Sequence, residues 1–185
     1  IKHCYELVSH AFNEVLLEVT AELSYRHIIL DRRNEIDRIV SLELAYQTGA
    51  WGGDAAKKIY PAIEAGEVVL EPLNLERARQ QISLCHTHRQ ELAQKMDVAQ
   101  IMPFVVYFED VYSRPQAGRA LIERLLAFLD IRPEDHADYE KQVSDALLRR
   151  GQNSAQILQA VPDVDAAIKT LKALHSGRPP VFEAS

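Results

Sequence analysis

The chain is 185 residues long, with 47% hydrophobic residues, 26% charged residues and a formal net charge of −6. That mixture excludes disordered, collagen-like and coiled-coil chains, and the acidic balance argues against nucleic acid as a partner. Apolar runs such as Phe104 to Phe108 fall far below the roughly 20 residues of a transmembrane segment, and two cysteines, Cys4 and Cys85, fit a reducing, cytoplasmic setting without a disulfide framework.

In chain order, residues 6 to 25 read as a helix with Val8, Phe12, Val15, Leu16, Val19 and Leu23 on one face. Residues 26 to 31 are short, apolar and β-branched, which predicts a buried strand. Residues 34 to 48 return to helical spacing, with Asn34 as N-cap and Gly49 just past the end. Helix, strand, helix is the signature of an α/β layer. Residues 49 to 74 carry four glycines and two prolines and read as a surface segment with one short helix. Residues 75 to 96 are helical, with Leu75, Ala78, Ile82, Cys85, Leu92 and Met96 in register. Pro103 to Phe108 is the second buried strand, and Ser113 and Pro115 open a helix to about Leu129. A polar stretch from Arg132 becomes helical toward Leu148, and the last helix runs from near Pro162 to Gly177. One domain is expected over residues 1 to 177, with 178 to 185 as a frayed tail.

The chemistry concentrates where the first strand meets the second helix, at Leu30-Asp31-Arg32-Arg33-Asn34, with Ser41 eight residues beyond Arg33. In open parallel sheets, ligands sit at the carboxyl ends of strands, where helix N-termini attract anions. Eight helical residues span roughly 12 Å, which an extended arginine largely bridges, so Arg33 and Ser41 could hold one phosphate. The ordinary alternative pairs Arg33 with Glu35 or Asp37 on a solvated face. Cys85, His86 and His88 form a Cys-His-x-His group inside a helix. They read as a packed core thiol beside solvated histidines, with no metal expected. Glu109 and Asp110, like Glu134 and Asp135, read as loop residues, and Trp51 reads either as the wall of an acceptor pocket or as a cap on the core.

The stretch from Ile28 to Leu42, with Arg33 and Ser41 in it, resembles the 3′-phosphate-binding segment of sulfotransferases. Ala45-Tyr46-Gln47-Thr48-Gly49-Ala50-Trp51 is similar to the continuation in the bacterial branch that includes trehalose and nodulation-factor sulfotransferases. Val105-Val106-Tyr107-Phe108-Glu109-Asp110-Val111 resembles the strand that ends in Tyr-Glu-Asp, with Phe108 standing at the nucleotide-contacting tyrosine. Leu126 to Ile131 resembles the family's Phe-Leu-Gly segment. Arg149-Arg150-Gly151 is similar to an Arg-Lys-Gly that also grips the 3′-phosphate. Lys2-His3 resembles, without its spacer, a Lys-x-His pair in which Lys assists the bridging oxygen and His removes the acceptor proton. The likeness runs from Lys2 to about Leu174.

The resemblance implies an α/β fold of the P-loop-NTPase-like sulfotransferase type, a small parallel sheet flanked by helices. It implies sulfuryl transfer from 3′-phosphoadenosine 5′-phosphosulfate, without a metal, to a hydroxyl or amine. The acceptor would be a small molecule, a carbohydrate or a lipid, and homo-oligomers are compatible with it. The family's Pro-Lys-Ser-Gly-Thr-Thr loop has no counterpart in these residues. A first strand and that loop are therefore expected in roughly 50 to 100 residues ahead of Ile1. Two rival readings are a kinase-like nucleotide-phosphate enzyme and a non-catalytic helical interaction protein.

Overall fold

The computed structural model describes residues 2–5, 8–148 and 153–185. It is an α/β protein, mostly helical, with a two-stranded parallel sheet. The chain divides into two compact units. The first comprises residues 1–33, 84–147 and 179–185, and the second residues 34–83 and 148–178.

The first unit holds α1 (His10–Glu22), β1 (Ile28–Asp31), β2 (Phe104–Tyr107), α5 (Phe108–Tyr112), α6 (Pro115–Phe128) and α7 (Tyr139–Leu148). The strands run parallel, with Ile28 opposite Phe104 and Asp31 opposite Tyr107, so their carboxyl ends lie side by side. Side chains alternate across the sheet. Phe104 and Val106 pack on Leu121, Leu125 and Phe128 of α6. On the other face Val105, Tyr107 and Ile29 meet Met96, Leu92, Leu17 and Phe182. The segment expected to fray is thus part of this packing. Ser185 accepts from the Val105 N–H through its hydroxyl at 2.7 Å, and the Tyr107 hydroxyl donates to the Phe182 carbonyl.

The apolar stripe is not the inward side of α1: Phe12, Val15 and Val19, with Leu23 just past the helix, are exposed, and Asn13 and Thr20 are buried instead. The inward side is set by hydrogen bonds. Asn13 Nδ2 donates to the Tyr5 carbonyl at 2.9 Å, and Thr20 Oγ1 lies 2.8 Å from His27 Nε2. The apolar stripe lies roughly a third of a turn around the helix from that side. The strand expected to be buried is only partly so: Ile28 and Leu30 of β1 are exposed, because among the described residues no strand pairs with the far edge of β1.

The second unit holds α2 (Glu35–Thr48), α3 (Gly53–Glu64) and α8 (Val164–His175). α4 (Leu75–Val98) begins in this unit and continues in the first. α2 starts at Asn34, whose side chain accepts from the Asp37 N–H at 3.2 Å, and ends at Gly49 in the left-handed region with φ 67°. Ile39, Leu44, Tyr60, Ile82, Ile157 and Leu171 anchor one closed apolar core. The segment predicted as irregular surface contributes Ala50, Ala56, Tyr60, Ile63, Leu70 and Leu73 to that core. Its helix runs through Pro61. Proline removes one backbone hydrogen bond there, and burial of Tyr60 and Ile63 offsets the loss.

Candidate functional site

The aligned strand ends of the first unit carry two ion pairs, Arg33–Asp110 and Arg89–Asp31. Asp31 and Arg33 leave β1, while Tyr107 leads from β2 directly into α5 with Phe108, Glu109 and Asp110. Glu109 and Asp110 are helical, not loop residues. Arg33 Nη2 donates to Asp110 Oδ2 at 2.8 Å and Nε to Oδ1 at 3.3 Å. Its backbone N–H donates to Glu109 Oε2 at 2.9 Å. The Arg33 guanidinium lies 4.0 Å from the centroid of Tyr107, and that of Arg32 lies 4.0 Å from the centroid of Phe108. Cation–π contacts of this kind hold each guanidinium against its ring.

Arg33 therefore finds its carboxylate after the neighbouring strand, on α5, rather than in the helix that follows it. Glu35, the local candidate, is bonded by Arg38 instead, at 2.6 and 3.0 Å. The hydrogen bond to Asp110 raises the Arg33 pKa further above its ordinary high value, so the group stays cationic. Tyr107 is pushed up, first by burial and then by the Asp31 carboxylate, and stays protonated at neutral pH.

Two ion pairs at this corner differ in burial. Arg89 meets Asp31 at 2.9 Å with side chains 15% and 8% exposed, and so belongs to the interior. Arg33 and Asp110 are 42% and 40% exposed. An exposed pair is worth at most about 1 kcal/mol, so a bound anion can compete with Asp110 for Arg33.

The other predicted residues fall as follows. Ser41 is half-buried on α2 in the second unit, whereas Arg33 is the last residue of the first segment of the first unit. Phe108 is half-buried at the start of α5 and carries the Arg32 guanidinium. Arg149, Arg150 and Gly151 lie outside the described residues. Lys2 and His3 are exposed ahead of α1. His3 Nε2 lies 2.6 Å from Asn13 Oδ1. The Asn13 amide already donates to Tyr5, so its oxygen accepts here. His3 then carries its proton on Nε2, and Nδ1 is left as the basic nitrogen. Asn13 was not singled out by sequence reasoning, although a buried asparagine beside an apolar helical stripe is a visible irregularity.

Cys85 is buried on α4, and the His88 ring meets Tyr5 edge-on at 6.0 Å. Among the described residues no group of three or more His, Cys, Asp or Glu is placed to hold a metal ion. No helix among them is long and apolar enough to cross a membrane. The chain matches no protein-family model, no curated protein and no solved structure.

Proposed function

We propose that the chain is a sulfotransferase-type domain of the P-loop-NTPase-like fold, acting in the cytoplasm. It would use 3′-phosphoadenosine 5′-phosphosulfate as donor and a hydroxyl or amine acceptor. The observation that carries this reading is Arg33 at the carboxyl end of β1, stacked on Tyr107 and held by an exposed, exchangeable partner. That is the chemistry a 3′-phosphate needs: a permanent, pre-oriented cation with planar donors. Glu109 holds the Arg33 backbone N–H and Asp110 its guanidinium, so Asp110 is the carboxylate that a phosphate would displace.

On this reading Arg33 binds the 3′-phosphate by exchanging Asp110 for it. The sequence spacing assigns Ser41 to the same phosphate, and Arg149, Arg150 and Gly151 are assigned there by resemblance alone. Phe108 keeps an aromatic wall with Arg32 on it, but no hydroxyl. The donor supplies the sulfuryl group and the nucleotide leaving group. His3, oriented by Asn13, takes the acceptor proton on Nδ1, and Lys2 offsets charge on the bridging oxygen. The edge of β1 that is unpaired among the described residues, with Ile28 and Leu30 exposed, would receive a further strand whose loop grips the 5′-phosphosulfate.

A thermal-shift comparison tests this. 3′,5′-ADP should raise the melting temperature and 5′-ADP should not, because only the former carries the 3′-phosphate. Equal shifts from both nucleotides would point to the kinase-like reading, and no shift from either to an interaction protein.

A further inference from the structure

A second concentration of side-chain chemistry stands in the second unit, at the end of α2. Tyr46 and Trp51 meet edge to face, with ring centroids 5.2 Å apart and planes at 85°. They remain 50% and 63% exposed. Arg77 lays its guanidinium over Tyr46, 4.7 Å from the ring centroid. The same guanidinium is fixed by Glu43, to which Nε and Nη2 donate at 2.7 and 2.6 Å. Glu43 is completely buried.

The backbone beneath these rings is tied down. Ala50 is fully buried, and its N–H donates to Thr48 Oγ1 at 3.2 Å. The Trp51 N–H donates to the Gly49 carbonyl at 3.1 Å. Gln47 exchanges two hydrogen bonds with the Glu71 backbone, each 3.0 Å long. A hydrogen-bonded backbone thus holds two large aromatic rings in water, and a buried carboxylate is committed to orienting the arginine over Tyr46. A tryptophan serving only to cap the core would turn its ring inward, as Tyr60 does.

We propose that Tyr46, Trp51 and Arg77 form a shelf that binds a pyranose ring with equatorial hydroxyls, such as a β-linked glucose disaccharide. The flat C–H face of such a sugar stacks on the indole, which buries ring surface at low cost in entropy. Glu43 already offsets the charge of Arg77. Two of its five N–H donors go to that carboxylate, and with the charge already paired the remaining three suit neutral sugar hydroxyls better than a second anion. Rings at right angles make a corner, not the parallel slot that a stacked base would occupy. The proposal uses residues of the second unit only and does not depend on the donor assignment.

Trp51 is the only tryptophan of the chain, so intrinsic fluorescence reads the shelf directly. Titration of the full chain with cellobiose should give a saturable change in emission that glycerol does not reproduce. Tyr46→Leu should weaken binding about tenfold. Trp51→Leu should abolish the heat of cellobiose binding while leaving the circular dichroism spectrum and melting temperature unchanged, since the ring is exposed. An emission spectrum indifferent to cellobiose, or the same heat of binding in Trp51→Leu, would overturn the proposal. Binding of 3′,5′-ADP to the same samples reads the donor site separately, so either assignment can fail alone.

Discussion

α8 in the second unit and α1 in the first are both short amphipathic helices, and they treat their apolar stripes in opposite ways. Val164, Ala167 and Leu171 of α8 are buried in a closed core, Leu171 completely. Phe12, Val15, Val19 and Leu23 of α1 face water, together with Ile28 and Leu30 of the neighbouring strand. Helical spacing determines which residues share a face. Whether that face has a partner depends on what the rest of the chain brings to it. In the second unit α2, α3 and α8 enclose one another's stripes. In the first, α6 covers β2 but leaves β1 open, and hydrogen bonds through Asn13 and Thr20 set the inward side of α1.

The largest effect should come from truncating the covered stripe. Leu171→Ala removes a fully buried side chain and should cost about 3 kcal/mol in chemical denaturation. Val15→Ala on the open stripe should cost under about 0.5 kcal/mol. Equal losses would mean that the α1 stripe is covered in solution. Next is Gly118, where an added Cβ would lie 2.1 Å from the Val111 carbonyl oxygen and 2.8 Å from Leu147 Cδ2. The close approach of α5 to α6 requires glycine, and Gly118→Ala should destabilise by about 2 kcal/mol through overpacking.

Smaller and opposite in sign is Asp110→Asn. Removing the carboxylate that competes for Arg33 should strengthen 3′,5′-ADP binding about threefold in calorimetry, on the order of 0.7 kcal/mol, within the range of an exposed ion pair. Weaker binding would mean that Asp110 serves mainly to position Arg33.

The smallest effect is a pH dependence from His27. Burial holds its pKa below the ordinary histidine value, and Thr20 Oγ1 sits 2.8 Å from its Nε2. The unfolded chain takes up that proton near pH 6.5, and the folded protein only at lower pH. Stability is therefore full above about pH 6.5 and falls as pH drops through the depressed folded value. Urea midpoints at pH 7.5 and pH 5 should differ less for His27→Gln than for the wild-type chain.

Much of the fold was legible where local chemistry decides it. Asn34 and Gly49 bracket α2 through their own cap geometry. The two β-branched and aromatic runs are the two strands, and the stripe of α4 is buried at Ala78, Ile82, Cys85 and Met96. Features set by distant partners were not legible. α3 carries Pro61, a local signal against helix, and is held by the core around Tyr60. The tail contains Arg178, Pro179 and Pro180 and reads as frayed, yet Phe182 is buried among residues of β2 and α4.

At the candidate site the strand-to-helix corner at Arg33 could be found from sequence, but its partner could not. Asp110 stands 77 residues away. It is brought near by the parallel register that sets Asp31 beside Tyr107. With both strands recognised and their ends aligned, that neighbourhood could have been inferred. The Asn13–His3 contact had no comparable signal beyond a polar residue on an apolar helix.

The central claim is that Arg33 is a 3′-phosphate grip and not only one member of a surface ion pair. Calorimetric titration of the wild-type chain and of Arg33→Ala with 3′,5′-ADP and 5′-ADP addresses it most directly. A charge-assisted contact is worth roughly 1.5 to 3 kcal/mol, so Arg33→Ala should weaken 3′,5′-ADP binding at least about tenfold and leave 5′-ADP nearly unchanged. Equal losses for both nucleotides, or no loss for either, would contradict the assignment.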